Sequence, residues 1–467
     1  MNKKIQAERK NFSLPDLSAP SADGSEMNYK RTILVSLPFM AFMTFWSAYD
    51  GIIPLMLKNT FHIGDTVSGV VMALDNILAV LLLPIFGSLS DKTKSRYGRR
   101  MPYILLGTLF AVLGMPLIPL GDYLYNFPMF IIGLGVVLLA LSSYRSAEVA
   151  LMPDVTPSPY RSKADALNSL SATAGTMVIL ACISLLVPAV KHPDYMAVFA
   201  VIMVLMTASA LILFFTVKEP EAVARMQEES RKLGVVYQED TVSFGGKETL
   251  PADVKRSLLG VLACVFFFFF AYNATSSALS KYANVMWGME GGSYATLQLV
   301  PVIVTLFAYL PMAGLAVRIG RKKTVITGGL LLIIAYGALF FSGKFSPVLY
   351  VYMSMIGIGM AAVSINVYPM IMEISTPETT GKYTGYYYTA SMTAQIITPV
   401  LSGAVMEFIG YRYLFLYAFI FGVITLIPLL FVHHGDVMKM EETAPQPTGQ
   451  MSGGLQENGV SSSYSAS

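Results

Sequence analysis

Four ionisable side chains interrupt long apolar stretches of this sequence and are the first candidates for chemistry. They are Asp50, Asp75, Arg145 and Glu148. A charge at the centre of a bilayer costs about 2.5–3.5 kcal/mol on insertion scales, so such residues are functional candidates. The spacing of Arg145 and Glu148 places them on one face of a helix. We predict a buried network in which carboxyl groups face a fixed cation and one of them exchanges a proton. The alternative is a purely structural pair between Arg145 and Glu148.

Further polar side chains within or at the edge of apolar stretches extend this candidate cavity for substrate and proton. They are Asn76, Asp154, Asn273, Asn366 and Gln395. The 4 histidines lie in loops or at the edges of apolar runs, so carboxyl groups would have to carry a proton. The 2 cysteines lie inside apolar runs and indicate no disulfide or metal site. The chain also lacks HExxH, GxSxG and P-loop patterns, so we expect no enzyme activity. We expect no cofactor or metal, and we expect H+ as the coupling ion.

Two loops rich in glycine and arginine occupy corresponding positions in the two halves of the chain. The first reads GSLSDKTKSRYGRRMP at 87–102, and the second reads GLAVRIGRKKT at 314–324. Ion pairs between the acid and the arginines of such a loop can act as a latch that breaks when the protein changes conformation. The alternative is that the basic residues only set the topology. We predict a gate motif made of Gly87, Asp91, Arg96, Gly98, Arg99, Arg100, Gly314, Arg318, Gly320 and Arg321.

Helices that span a membrane must position these residues. The 467-residue chain is 54% hydrophobic and 13% charged, whereas soluble proteins average about 25% charged residues. The repeated loops, with Asp154 echoed by Glu373, indicate a duplicated unit of six spans. The fold class is therefore an all-α membrane protein with twelve transmembrane helices in two six-helix bundles. The spans are 31–56, 66–88, 102–120, 127–152, 164–190, 196–216, 257–285, 292–317, 323–342, 348–373, 383–408 and 412–432.

The same pattern divides the chain into five parts and orients it. We predict an N-terminal tail (1–30), a first bundle (31–216), a polar linker with one surface helix (217–256), a second bundle (257–433) and a disordered tail (434–467). If the N-terminus is inside, the short internal loops carry twelve Lys and Arg residues and the external loops carry four. The positive-inside rule then places both termini in the cytoplasm. We expect a multi-pass protein of the cytoplasmic membrane.

The loop from Ser90 to Ile104 resembles the signature loop of the major facilitator superfamily. Its length is similar to that in the sucrose–proton symporters and the glycoside–pentoside–hexuronide:cation symporters, which include the melibiose permease. The resemblance implies two six-helix bundles around a central cavity that opens alternately to the two sides of the membrane. The stretch ALMPD at 150–154 is similar to a segment of the sucrose symporters. That similarity implies a role in proton coupling for Asp154.

Several residues depart from the pattern of these relatives. The melibiose permease would place a sugar-binding aspartate at position 145, where this chain has Arg145, so its sugar contacts do not carry over. A cavity-facing arginine suits an anionic sugar such as a uronide equally well. The paired aspartates of the second span and the lysine of the eleventh span in sodium-coupled relatives are not reproduced. These departures argue against a sodium site.

We therefore expect a secondary active transporter, a proton-coupled symporter of a sugar or glycoside. Its partners would be a small-molecule solute and the lipid bilayer, with no nucleic acid, and we expect it to act as a monomer. One alternative is an exporter or antiporter of another small organic solute, because the gate motif does not set the direction of transport. An alternative from another class is a membrane sensor without transport activity, which the retained intramembrane charges argue against.

Overall fold

The computed structural model describes residues 27–232, 251–375 and 380–435, and every regular element in these ranges is a helix. The α-helices are α1 (Tyr29–Leu55), α2 (Asp65–Lys92), α3 (Met101–Gly114), α4 (Leu117–Tyr123), α5 (Phe127–Asp154), α6 (Arg161–Leu186), α7 (Met196–Thr216), α8 (Glu219–Lys232), α9 (Ala252–Trp287), α10 (Tyr294–Ile319), α11 (Arg321–Phe341), α12 (Val348–Ile374), α13 (Thr380–Ala404) and α14 (Tyr413–Leu429). The predicted tail residues 1–26 and 436–467 and linker residues 233–250 lie outside the described ranges.

Eleven of the helical segments are long and apolar enough to cross a membrane, with α3 and α4 together forming the third. The twelfth predicted span corresponds to α14, which is apolar but shorter, with 17 residues. The all-α membrane fold predicted from the apolar runs is thus confirmed. Large apolar side chains point outward around the helices, as expected for a surface in contact with lipid. The most exposed are Leu185, Leu310, Phe341, Phe408 and Val317.

Local sequence explains where several helices begin, bend and end. The side chain of Asn28 accepts a hydrogen bond from the Arg31 N–H at the start of α1, and Asn126 caps α5 in the same way. The third span is interrupted between α3 and α4 beside Pro116, which has no N–H to continue the helical ladder. Gly288 ends α9 in the left-handed conformation, with φ of 64°.

The helices pack as two bundles, the first containing α1–α7 and the second containing α9–α14. Within the first bundle α1 packs on α6 and α5 packs on α3 and α2; within the second, α12 packs on α10 and α11, and α9 packs on α14. The bundles meet where α2 contacts α13, α6 contacts α10 and α1 contacts α9. Polar side chains along these contacts therefore lie between the two bundles.

The linker helix α8 lies against the end of the first bundle that carries the loop 93–100. We call this end of the molecule, which also carries the loop between α10 and α11, the motif end, and the other end the opposite end. In α8, Ala222 and Met226 are buried, and Arg31 at the start of α1 forms a salt bridge of 2.8 Å with Glu229. The described part of the linker is therefore docked on the first bundle.

Candidate functional site

A cavity of about 220 Å³ lies between the two bundles. Its wall is formed by α1 and α6 of the first bundle and by α9, α10, α12 and α14 of the second. The lining residues are Ser47, Asp50, Thr176, Leu180, Tyr272, Asn273, Thr275, Ser276, Leu279, Gln298, Pro301, Val302, Met353, Ile356 and Phe415. Of the residues predicted for the cavity, Asp50 and Asn273 are on this wall. A site shared by two bundles can be exposed to either side when the bundles rock against each other.

The cavity combines polar groups on one part of its wall with apolar side chains on the rest. Ser47 donates a hydrogen bond of 2.9 Å to Thr176, which joins α1 to α6 beside Asp50. The Nδ2 atom of Asn273 and the Oε1 atom of Gln298 are buried and have no hydrogen-bond partner among the described residues. Sequence reasoning missed Gln298, although a lone amide in the apolar stretch of α10 is the same signal that indicated Asn273.

A second cluster of predicted residues lies on α2 and α5, outside the cavity lining. Arg145 interacts electrostatically with Asp75, Glu148 and Tyr388, and its guanidinium is 5.6 Å from the centre of the Phe42 ring. Tyr388 belongs to α13, so this cluster also faces the second bundle.

Within this second cluster the two carboxyl groups differ in their partners. Asn76 donates hydrogen bonds of 2.9 Å to both carboxyl oxygens of Asp75. Glu148 is 1% exposed, and neither of its carboxyl oxygens accepts a hydrogen bond from a described residue. Asp50 lies within electrostatic range of Asp75. The four predicted charges are therefore linked in series, Asp50 to Asp75, Asp75 to Arg145 and Arg145 to Glu148, and only Asp50 lines the cavity.

Two predicted amides are placed elsewhere. The side chain of Asn366 is 2% exposed and donates a 2.8 Å hydrogen bond to the Ala362 carbonyl of its own helix. That bond satisfies the side chain inside α12, and Asn366 does not line the cavity. Gln395 is half-buried on α13 and is also absent from the cavity wall. Spacing along an apolar run cannot distinguish these cases, because it does not define which face of the helix meets the cavity.

The first gate-motif loop forms a network of ion pairs at the motif end. Arg100 pairs with Asp91 at 2.5 Å and with Asp154 at 2.9 Å, and Arg99 pairs with Asp154 at 2.7 Å. The pairs connect the end of α2, the start of α3 and the end of α5. Asp154, which we predicted as part of the cavity, thus belongs to this network and does not line the cavity. Arg96 stacks over the neighbouring Tyr97 ring, 4.6 Å from its centre.

Glu219 of α8 completes this network, although sequence reasoning did not single it out. Its carboxylate accepts hydrogen bonds of 2.8–3.0 Å from the backbone N–H groups of Arg99, Arg100 and Met101 at the start of α3. Burial raises the pKa of Glu219, and these three bonds oppose that shift. Gly98 has φ of 110°, and a Cβ atom there would lie 2.2 Å from the Glu219 carboxylate. Only glycine therefore fits at this position.

The second gate-motif loop repeats part of this arrangement. Arg321 at the start of α11 pairs with Glu373 at the end of α12, as Arg99 pairs with Asp154 in the first bundle. Gly320 has φ of 94°, in the region that favours glycine. Arg318 is exposed, and a Cβ atom at Gly314 would meet nothing within 4 Å, whereas one at Gly87 would lie 3.3 Å from the Ser146 hydroxyl. The repeat seen in the sequence therefore extends to its ion pairs but not to every glycine.

Charged residues also join the two bundles at the opposite end. Asp65 at the start of α2 forms a 2.9 Å ion pair with Lys281 of α9, and both side chains are buried. Lys58 lies 3.5 Å from Asp65, and the Tyr411 hydroxyl donates a hydrogen bond to Asp65. We call these four residues the Asp65 cluster. Lys281 is thus held inside the protein by a carboxylate from the other bundle.

Close backbone packing accompanies the Asp65 cluster. A Cβ atom at Gly69 of α2 would lie 2.2 Å from the Pro399 carbonyl oxygen of α13, and one at Gly403 would lie 2.3 Å from the Asp65 carbonyl oxygen. Glu407 accepts a 2.8 Å hydrogen bond from the backbone N–H of Thr66. The two bundles are therefore in tight contact at the opposite end.

Paired helix bundles, a polar cavity between them and ion-pair clusters at both ends together define a membrane transporter of the major facilitator type. A sequence profile described as MFS/sugar transport protein matches residues 34–418, and the chain belongs to this family. This membership confirms the predicted superfamily and the expectation of a transporter rather than an enzyme.

Two curated relatives match short stretches of the chain. A membrane-associated transporter protein of Mus musculus is 48% identical over 52 residues, which cover 11% of this chain and 10% of the relative. The proton-associated sugar transporter A of Homo sapiens is 32% identical over 99 residues, which cover 21% of this chain and 12% of the relative. The matches thus span about a tenth of the length of either relative.

Solved structures share the fold over most of the chain. The inward-open xylose transporter XylE from E. coli is 15% identical with a TM-score of 0.60, covering 86% of this chain and 94% of that one. A D-xylose–proton symporter is 15% identical with a TM-score of 0.63, and the match covers 86% of this chain and 96% of the symporter. A POT family transporter in complex with a thioalcohol-conjugated peptide is 12% identical with a TM-score of 0.64, and the match covers 86% of this chain and 95% of that transporter. At these identities the likeness concerns the fold and not the solute.

Proposed function

We propose that the protein is a secondary active transporter that couples movement of a sugar or glycoside to H+ by alternating access. The observation that carries this proposal is the polar cavity between the two bundles, with Asp50 on its wall. Hydroxyl, amide and carboxyl groups beside apolar side chains suit a solute that has both hydroxyl groups and an apolar ring face. The similarity to a human proton-associated sugar transporter agrees with this choice.

The linked carboxyl groups support protons as the coupling ion. Asp50, Asp75 and Glu148 are linked in series, with Arg145 as the fixed cation between Asp75 and Glu148. Glu148 has no hydrogen-bond partner among the described residues, so its oxygens are available for a proton. In the described ranges, no group of three or more His, Cys, Asp or Glu residues is arranged to hold a metal ion.

The ion-pair clusters at the two ends support alternating access. The Asp65 cluster joins the two bundles at the opposite end, whereas Asp154 and Glu373 each pair within their own bundle at the motif end. Closing the motif end and opening the other would require the Asp65 cluster to separate. The Asp65 cluster, paired in one state and separated in the other, is a two-state element whose equilibrium both solute and proton binding can shift.

Uptake into proteoliposomes tests this function directly. Purified protein should accumulate a radiolabelled sugar only when the proton gradient is directed into the vesicle, with the lower pH outside. With the membrane potential clamped and one proton per neutral solute, one pH unit can drive at most about tenfold accumulation. The control is the same vesicles with the gradient collapsed by a protonophore. Equal uptake in both would refute proton coupling, and absence of sugar flux in counterflow would refute sugar transport.

We also propose that the motif end faces the cytoplasm, that the protein resides in the cytoplasmic membrane and that it works as a monomer. Exposed lysines at the two ends offer a matched pair of reporters for orientation. A Lys344→Cys variant at the opposite end should react with an impermeant maleimide added outside cells, whereas Lys94→Cys should react only after permeabilisation. The reverse pattern would refute this orientation.

A further inference from the structure

The contact between the bundles at the opposite end joins charged side chains of both signs from both bundles. Asp65 of the first bundle pairs with Lys281 of the second at 2.9 Å, and Lys58 of the first bundle lies 3.5 Å from the same carboxylate. Glu407 of the second bundle accepts a 2.8 Å hydrogen bond from the backbone N–H of Thr66 in α2. The charged side chains that these contacts join are thus one lysine and one carboxylate from each bundle.

Each of these charges also has a partner of opposite sign within its own bundle. Lys58 and Asp65 belong to the first bundle, so they remain together when the bundles separate. Lys281 interacts electrostatically with Glu407, and both belong to the second bundle. In the described state Lys58 and Lys281 share Asp65, and their like charges repel each other. Separation of the bundles would therefore relieve this repulsion and leave each bundle with a balanced pair.

We propose that the four charges exchange partners when the opposite end opens. Asp65 then pairs with Lys58 alone, and Lys281 turns from Asp65 to Glu407. A buried charge that loses its partner is strongly destabilising, so bundles that separated without a replacement would meet a high barrier. The exchange keeps each charge paired while water enters the contact. This inference rests on the alternating access proposed above and adds the mechanism by which one end opens.

The two replacement partners lie on turns that can adjust. Lys58 is in the π-helical turn Met56–Thr60 that follows α1, and Glu407 is in the π-helical turn Val405–Ile409 that follows α13. Such turns are rare and occur frequently at functional sites. The side chain of Lys58 is 26% exposed and Glu407 is exposed, whereas Asp65 and Lys281 are buried. The central pair is therefore enclosed, while the outer two side chains have room to follow it.

Partner exchange and a simple latch predict opposite effects for the outer two residues. In a simple latch every contact holds the end closed, so removing any of them opens it. With exchange, Lys58→Met leaves the closed pair of Asp65 and Lys281 in place but removes the partner of Asp65 in the open state. Glu407→Gln keeps an oxygen for the Thr66 N–H but removes the charge that Lys281 needs in the open state. Both variants should therefore reduce the open population.

Labelling of a cysteine in the cavity wall measures that population. Ser276→Cys is introduced after Cys182 and Cys264 are replaced, and an impermeant maleimide is added to sealed vesicles on the side of the opposite end. The labelling rate should fall roughly 1.5- to fivefold in Lys58→Met and in Glu407→Gln, the range for loss of a solvent-exposed ion pair. Lys58→Arg keeps the charge and should keep the wild-type rate.

A matched control and the assay conditions separate this exchange from the proposed function. Lys344→Met removes an exposed lysine at the same end and should leave the rate unchanged; an equal fall there would overturn the role of Lys58. A faster or unchanged rate in Lys58→Met or in Glu407→Gln overturns the exchange and leaves alternating access standing. Because labelling needs neither solute nor proton gradient, absence of sugar flux in counterflow would refute sugar transport without altering this result.

Discussion

Removing Lys281 should open the opposite end of the transporter. Its ammonium pairs with Asp65 at 2.9 Å, and the side chains of both residues are less than 10% exposed. Replacing one member of a buried ion pair costs about 3–5 kcal/mol because the other charge remains buried without its partner. Lys58 and Tyr411 still contact Asp65, so Lys281→Met should cost the closed state about 3 kcal/mol, the low end of that range.

That free energy corresponds to an increase of ~100-fold in the population open at this end while the open state is minor. The assay is labelling of a cysteine placed in the cavity wall, Ser276→Cys, by an impermeant maleimide added on the side of the opposite end. Cys182 and Cys264, the 2 native cysteines, are replaced first. The labelling rate in Lys281→Met should rise in proportion to the open population.

A matched control separates this effect from the loss of any positive charge. Lys344 is an exposed lysine at the same end, so Lys344→Met should leave the labelling rate unchanged. The double variant Asp65→Asn/Lys281→Met should increase labelling by less than the two single changes combined, because they remove the same interaction. Wild-type labelling in Lys281→Met, or full additivity in the double variant, would refute the role of this pair in closure.

Three further predictions concern the proton path and the motif end. Replacing one of the buried acids Asp50, Asp75 and Glu148 by Asn or Gln should preserve counterflow but abolish pH-driven accumulation. Arg145→Ala should abolish both activities. Full pH-driven uptake in all variants would refute the network. Asp154→Asn should slow transport more than Asp91→Asn, because Asp154 pairs with two arginines and Asp91 is 55% exposed; equal flux at equal expression would contradict this. Gly98→Ala should lower the unfolding temperature through its clash with Glu219, whereas Gly314→Ala, with open space around it, should not; equal unfolding temperatures would show that the loop relaxes freely.

The membrane fold and the duplication could be predicted from the sequence because their causes are local. A helix that crosses the hydrocarbon core needs about twenty apolar residues in succession, and such runs are visible without any tertiary information. The two glycine–arginine loops likewise keep the same order of residue types in each half. Their ion pairs, Arg99 with Asp154 and Arg321 with Glu373, connect the ends of spans that lie close to each other within one bundle.

The candidate site was only partly predictable. A lone polar residue in an apolar run is costly wherever it lies, which is the signal that selected Asp50 and Asn273. Both line the cavity, and Gln298, which also lines it, carries the same signal. The same signal also selected Asn366, whose side chain is satisfied within its own helix. Asp154 was a cavity candidate for which a resemblance implied a role in proton coupling, but two arginines hold it at the motif end.

By itself, the sequence determined that this chain folds into membrane-spanning helices, that these helices form two related halves and that charged residues lie within them. Only the tertiary structure decided which of those charges meet. Lys281 and Asp65 belong to different bundles, and their pairing depends on how α9 packs beside α2 and α13. Hydrophobic length acts on each helix separately, whereas a cavity wall or an ion pair between bundles depends on the rotation and position of every helix around it.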